Sequence, residues 1–394
     1  MAGVTGLGTT YNLPNYTGIL HLLSPTAVPL FSAIGGLTGG GQTTSTEFEW
    51  SAYDLRNRGQ RVRPEGADAP TAEERVRGNI TNVVQIQQET VAVSYTKLAA
   101  IGQKNGSNND KPSNVVAELD WQVRQMLTQM IGDTEYSFLN GVYHKPSDNT
   151  TSRSTRGLIP AITTNAFDVG GAAVTGLSAA TDTITETSTP LANDQQIRFT
   201  SVGVATAINT NQVYFVVSKT TNAFKVAETK GGAAITIGTA TVAYSKLRST
   251  GVEFDDFGNL AQAIYQSGGF GDGETATVIA GAGQKRAITK AYTSIGLGAP
   301  VRGNLGGVNV EQIETDFGIV NIMLSNDVPR DAIVCATLGE LRPVYLEIPG
   351  KGHFFAEPLP SAGASLKTQI YGETGLEYGV EKHHGIIRGL PVPA

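Results

Sequence analysis

The chain has 394 residues, a formal net charge of −6, 40 % hydrophobic and 16 % charged residues, and 47 glycines. That length and apolar content suit two or three domains with ordinary cores, and many glycines with few charges predict turns and short strands rather than a helical bundle. The acidic balance argues against a nucleic-acid reader built on dense Lys and Arg, the single Cys335 in DAIVCATL rules out an internal disulfide framework, and no apolar window approaches the ~18 residues of a membrane span.

Met1 to Gly41 carries no charge and ends in GGLTGGG, which predicts an extended arm over residues 1–42. It lacks the basic n-region and long apolar core of a signal peptide. Within it, ILHLLSPTAVPLFSAI can dock as a helix fragment against a neighbouring subunit, with His21 as a packed side chain. Next, Thr43 to Ser51 alternates, Phe48 and Trp50 on one face and Glu47 and Glu49 on the other. Asn82 to Tyr95 forms a second strand whose apolar phase shifts near Gln88, as at a bulge. Together they predict a long antiparallel hairpin over 43–97. Its polar tip carries Arg56, Arg58, Arg61, Arg63, Arg75 and Arg77 interleaved with Asp54, Glu65, Asp68, Glu73 and Glu74. Such a tip is either a solvated surface or a source of salt bridges to another subunit, since a long hairpin has little core of its own.

Ser113 to Asn140 is the longest helical pattern. Val116, Leu119, Val123, Met126, Leu127 and Met130 form one apolar stripe, and Glu118, Asp120, Gln122, Arg124, Gln125 and Gln129 take the other side. Ser113 can cap its start, just after Pro112, and the rod is about 40 Å long. The stripe predicts one buried face. The turn-rich segment after it, with His144, returns to the core at Gly157 to Pro160.

From Leu177 to Tyr244 the residues are mostly Thr, Ala, Val, Ile and Asn, and the runs QIRFT, QVYFVVS, AFKVAE and AAITI predict a small all-β unit inserted over 174–247. A helix follows at Phe254 to Gly269, then a strand at Thr275 to Ala280 that runs into the helical GAGQKRAITKAYTS. Neither phosphate-binding glycine spacing is present there, so no nucleotide site is assigned. Strands in VEQIETDFGIVNIMLS, DAIVCATL, HFFAEPL, SLKTQIYGETGLEYGV and KHHGIIRGL complete the chain.

Catalysis needs an acid, base or metal held against a pocket. His21, His144, His353, His383 and His384 show no metal-ligand spacing. Asp255 and Asp256 suit a helix N-terminus, Glu373 and Glu377 suit outward charges on a strand, and His383 and His384 point to opposite sides if extended. No catalytic, cofactor-binding or metal-binding residue is assigned, and the residues argue for a structural protein.

The order of parts is itself specific. Ser113 to Asn140 with the following TRGLIPAITTN, then VIAGAGQKRAI with VEQIETDFGIVNI, and the closing LKTQIYGETGLEYGVEKHHGIIRGL resemble the major capsid proteins of tailed bacteriophages with the Hong Kong 97-type fold. The resemblance implies an α+β chain with an N-terminal arm (1–42), an E-loop hairpin and its base (43–97), and a P-domain (98–173) holding the spine helix 113–140. The inserted β domain (174–247), an A-domain (248–345) and terminal P-domain strands (346–394) follow. It also implies hexamers and pentamers of one polypeptide tiling an icosahedral shell around double-stranded DNA, bound without sequence readout and without a membrane. The virion capsid would assemble in the host cytoplasm, with separate scaffolding and decoration proteins and a portal as further partners. The inter-subunit contact falls to the E-loop tip: Arg56, Arg58, Arg61, Arg63, Glu65, Glu73, Glu74, Arg75 and Arg77.

Some family members cross-link through an E-loop lysine, but this chain has no lysine before Lys97, so that bond is not expected. Others carry a helical scaffold ahead of the arm; an arm beginning at Met1 implies a separate scaffold or none. The alternatives are an encapsulin-type compartment with the same fold and, remotely, a hydrolase. The inserted unit suits either shell stabilisation or host-surface adhesion.

Overall fold

The computed structural model describes residues 26–99, 118–148, 150–203, 207–270, 276–294, 311–360 and 363–392. The first elements are α1 (Pro29–Ala33), β1 (Gly41–Thr43), β2 (Glu47–Tyr53), β3 (Arg77–Val83), β4 (Gln85–Ser94), α2 (Tyr95–Ala99), α3 (Glu118–Asn140), α4 (Leu158–Ala161) and β5 (Ala166–Asp168). A barrel of β6 (Val174–Ala180), β7 (Thr183–Thr185), β8 (Gln196–Ser201), β9 (Val213–Val217), β10 (Ala223–Ala227) and β11 (Ala240–Lys246) comes next. Then come α5 (Phe254–Gln266), β12 (Ala276–Ala280), α6 (Ala282–Ser294), β13 (Gln312–Thr315), β14 (Gly318–Leu324), β15 (Ile333–Thr337) and β16 (Arg342–Leu346). The last strands are β17 (Phe354–Leu359), β18 (Ser365–Glu377) and β19 (Gly385–Arg388).

A six-stranded sheet of order β13-β14-β12-β15-β19-β5 lies at the centre. Its inner strands read as unbroken apolar runs because they are buried on both faces, and their two-residue period divides them between two cores. Val278, Ile333, Cys335 and Ile387 pack under α5 and α6 with Phe257, Leu260, Ile264, Ile288 and Tyr292. Their neighbours Ile279, Val334, Ala336 and Ile386 face the opposite way, against Leu30, Phe31 and Ile34 around α1, Phe138 and Leu139 of α3, and Leu158 and Ile159 of α4. α5 opens with a capping box between Glu253 and Asp256 and stops at Gly268, whose φ of +97° suits a glycine.

A five-stranded sheet, β1-β16-β18-β17 with β4 on the other side of β18, carries α3 across it. Gln85 Nε2 donates to Ser137 Oγ at 2.9 Å, and Thr134 Oγ1 donates to Gln87 Oε1 at 2.8 Å. The barrel closes in the order β10-β7-β6-β11-β8-β9. Inside it Phe199 meets Tyr214 edge-on at 5.4 Å and Phe224 meets Tyr244 at 5.5 Å. The Tyr244 hydroxyl lies 3.0 and 2.9 Å from the two carboxylate oxygens of buried Glu186.

Several expectations are corrected here. The run from Asn82 to Tyr95 is two strands: β3 pairs with β2, the chain turns at fully buried Val84, and β4 then joins β18. The β4–β18 register runs unbroken from Gln85↔Thr374 to Ser94↔Ser365, so no bulge lies at Gln88, and Ile86 simply faces outward at 49 % exposure. Helix α2 begins at Tyr95, where the strand was expected to end. AAITI (233–237) is not a strand; it lies between β10 and the turn joining β6 to β7, with Ile235 N–H bonded to Val226 O and Ile237 N–H to Thr181 O.

The terminal segment 346–394 divides between sheets, β17 and β18 in the five-stranded sheet and β19 in the central one, while β16 leaves the central group to pair with β18. Of the apolar stripe on the long helix only Met130 is fully buried, Leu119, Val123, Met126 and Leu127 are half-buried, and Val116 lies outside the described residues. The buried end is formed instead by Met130, Thr134, Glu135, Phe138, Leu139 and Asn140.

Candidate assembly interface

Among the described residues the hairpin is anchored only at its base. Phe48 is buried and stacks on Trp50 at 6.0 Å, Trp50 meets Tyr378 edge-on at 5.0 Å, and Trp50 Nε1 donates to Gly379 O at 2.7 Å. Ladder pairing ends at Tyr53↔Arg77, and every residue from Tyr53 to Asn79 is exposed. Glu73 gathers the tip's charges, lying 3.9 Å from Arg56, 3.7 Å from Arg61 and 2.9 Å from Arg75. Arg63 Nη1 donates to Asp68 O at 3.3 Å. Arg58, Glu65, Glu74 and Arg77 form no ion pair among the described residues. Exposed pairs of this kind contribute about 0–1 kcal/mol each, so they shape the tip without holding it to the body.

The tip's charged residues therefore share one projection, but reading it as almost all polar missed four side chains. Tyr53 is 68 % exposed, Leu55 69 %, Val62 76 % and Val76 82 %. Scattered single apolar residues are ordinary on a surface; these four share one loop that has no core of its own to cover them. Their signal in the sequence was their persistence through a charged stretch that has no core of its own to bury them.

The arm behaves differently. Its described part docks on its own chain, correcting the expectation of a neighbour: Leu30 is 0 % and Phe31 3 % exposed, and Phe31 meets Phe138 at 5.9 Å. Fully buried Glu135 of α3 accepts the Phe31 N–H at 3.1 Å and the Ser325 hydroxyl at 2.9 Å. It thereby satisfies an open amide in the first turn of α1. Burial pushes its carboxyl up, with Asp327 adding to the effect and the hydrogen bonds opposing it. Sequence reading missed Glu135 because a glutamate near a helix end looks like a solvated charge. His21 and the rest of residues 1–25 lie outside the described residues.

Among the described residues the titratable groups do not converge on an active centre. His384 is fully buried, its Nδ1 3.2 Å from the Thr337 amide and its Nε2 2.8 Å from Tyr378 O. These partners suit a neutral ring, and burial lowers its pKa. His383 points away and pairs with Glu340 at 2.5 Å. His144 bonds Ser152 O, and His353 stacks on Tyr345 at 4.7 Å. Asp256 binds the Glu253 amide and Arg248, and Glu377 pairs with Arg342 at 2.7 Å. Glu373, expected outward, is instead buried against Arg153 and the Tyr371 hydroxyl. Burial raises the Cys335 thiol to about 12. Among the described residues no cluster of three His, Cys, Asp or Glu could hold a metal, and no helix is long and apolar enough to cross a membrane.

Among solved structures, the chain is similar to a subunit of the cyanophage A-1(L) capsid, with TM-score 0.57, 8 % identity and coverage of 98 % of this chain and 99 % of that one. A structure of Mycobacterium phage Bobi matches with TM-score 0.50, 9 % identity and 96 % of each chain. The holo-SrpI encapsulin complex of Synechococcus elongatus matches with TM-score 0.47, 10 % identity, 97 % of this chain and 94 % of that one. No curated protein sequence matches.

A long helix laid across one sheet, a second sheet buried on both faces and a projecting hairpin define the subunit fold of a tailed-phage capsid. The SU10 major capsid protein family model matches residues 3–391, and the chain belongs to that family. It is a structural shell protein rather than an enzyme.

Proposed function

We propose that copies of this subunit associate as hexamers and pentamers into a closed icosahedral shell around packaged double-stranded DNA, each hairpin tip gripping an adjacent copy. The observation that carries this reading is the unsupported tip, with Tyr53, Leu55, Val62 and Val76 each more than two-thirds exposed. Covering such side chains on a neighbour contributes roughly 1.5–3 kcal/mol for each one fully buried. The interleaved Arg56, Arg58, Arg61, Arg63, Glu65, Glu73, Glu74, Arg75 and Arg77 then set register and exclude wrong docking more than they add affinity. Multiplied by copy number, weak contacts of this kind hold a shell. The net charge of −6 suits a container that encloses DNA without reading it. Scaffolding, decoration and portal proteins, and assembly in the host cytoplasm, belong to the same reading.

The test reverses Arg56, Arg58, Arg61 and Arg63 to Glu together and examines purified protein by negative-stain microscopy. The unaltered chain is expected to give closed particles containing nucleic acid, and the variant to give folded subunits without shells. Normal shells from the variant refute the contact role, and particles holding protein cargo without nucleic acid favour a compartment of the encapsulin type.

A further inference from the structure

The barrel joins the body through a neck of two segments, Val169–Gly171 coming in and Lys246–Arg248 going out, tied by the Gly171 N–H to Lys246 O at 2.8 Å. Two crossing segments alone leave a hinge. A third segment from the far end of the sequence, Gly389–Val392, runs through this neck and is bonded from both sides. From the outgoing neck, Arg248 N–H donates to Gly389 O at 2.8 Å, and the barrel itself contributes through β8. The Gln196 amide of β8 donates to Val392 O at 3.0 Å and accepts the Val392 N–H at 2.7 Å. On the body side, Leu390 N–H donates to Asp331 O at 3.0 Å, and Gln284 Nε2 of α6 donates to Pro391 O at 3.0 Å.

Leu390 is fully buried in the core beneath α5 and α6. Gly389 has φ +79°, and a Cβ there would come within 2.6 Å of the Gly170 nitrogen, so the three backbones meet at a distance that only glycine permits. Arg198 of β8 adds an ionic tie across the same seam, 3.1 Å from fully buried Asp331 and 3.4 Å from Asp168 of β5.

We infer that Gly389–Val392 is a latch that fixes the inserted barrel in one orientation on the central sheet, making it a rigid strut of the subunit rather than a tethered module. The consequence rests on the shell reading: a strut held at one angle can offer the same surface at every copy of a repeating lattice. Shell reinforcement therefore suits it better than adhesion on a flexible stalk.

Hydrogen exchange on the unassembled subunit tests the latch whether or not shells form, so its outcome is separate from that of the shell reading. In the unaltered chain the amides of Arg248 and Leu390 are expected to be protected like those of β9. Gln196→Ala removes two latch bonds and is expected to speed exchange at Arg248 and Leu390 roughly tenfold while leaving β9 unchanged. Arg198→Met combined with Asp331→Asn removes the ionic tie without leaving a buried charge unpaired, Asp168 being half exposed to solvent, and is expected to act in the same direction. If Gln196→Ala also opens β9, the comparison is made on that double variant. Amides at Arg248 and Leu390 that exchange as fast as residues 54–76 in the unaltered chain, or that are unmoved by both variants, overturn the inference.

Discussion

Glu135 offers the sharpest test of how the arm is fastened. Replacing it with Ala removes the acceptor for the Phe31 amide and the Ser325 hydroxyl and leaves both donors buried. Each stranded donor costs about 1–3 kcal/mol, partly offset because a carboxyl that burial disfavours in its charged form is also removed. The expected net loss for Glu135→Ala is about 2–4 kcal/mol. Glu135→Gln keeps one oxygen acceptor without the charge and is expected to stay within about 1 kcal/mol of the original.

The pH dependence separates the two roles of the carboxyl. Its folded-state pKa is raised from 4.5, so its contribution is fully present below 4.5 and is lost as pH rises through the folded value. The unaltered chain should therefore gain on Glu135→Gln as pH falls from neutrality toward 4.5. Urea unfolding of all three proteins across that range, followed by near-ultraviolet signal and by the fluorescence of Trp50 and Trp121, measures this. A Glu135→Ala protein as stable as the original, or a Glu–Gln difference that does not move with pH, would refute the anchor.

At the hairpin base, Trp50→Phe should cost about 1 kcal/mol for the lost bond to Gly379 O, and Trp50→Ala about 3 kcal/mol, both read as a lower urea midpoint. The His384 pKa is lowered from 6.5, so the sign is opposite to that of Glu135: stability present above 6.5 should be lost as pH falls toward the folded value, and His384→Gln should flatten that slope. Gly389→Ala meets both a positive φ and the Gly170 nitrogen, and should cost about 1–2 kcal/mol, which in a chain of this length lowers the thermal midpoint by about 1–2 °C.

Local periodicity made some parts of this fold legible. The amphipathic turn of α5, the apolar run of β12 passing into α6, and the sparsely charged alternation from β8 to β10 could all be read from neighbours in sequence. Pairing over long distances could not. Nothing near Gly385 says that β19 joins β15 rather than β18, and nothing in NVVQIQQ says that the strand changes sheets at Val84, because both outcomes bury similar side chains. Polar residues misled where a distant partner decided their place. Glu373 was expected outward, and neither Glu135 nor Asp331 was singled out; all three are buried, each beside a group more than a hundred residues away in sequence. On the hairpin tip the charged residues were visible in the sequence as a dense run of both signs, Arg56 to Arg63 followed by Glu65 to Glu74. Tyr53, Leu55, Val62 and Val76 were not, because their meaning lies in the missing core beneath them.

Imaging the assembled particle at side-chain resolution tests the shell account most directly, through the fate of residues 54–76. The account predicts the tip lying on an adjacent copy, with Leu55, Val62 and Val76 covered by that copy and the exposures of 69, 76 and 82 % largely lost. A tip facing solvent, or folded back on its own subunit with no neighbour against it, would contradict it.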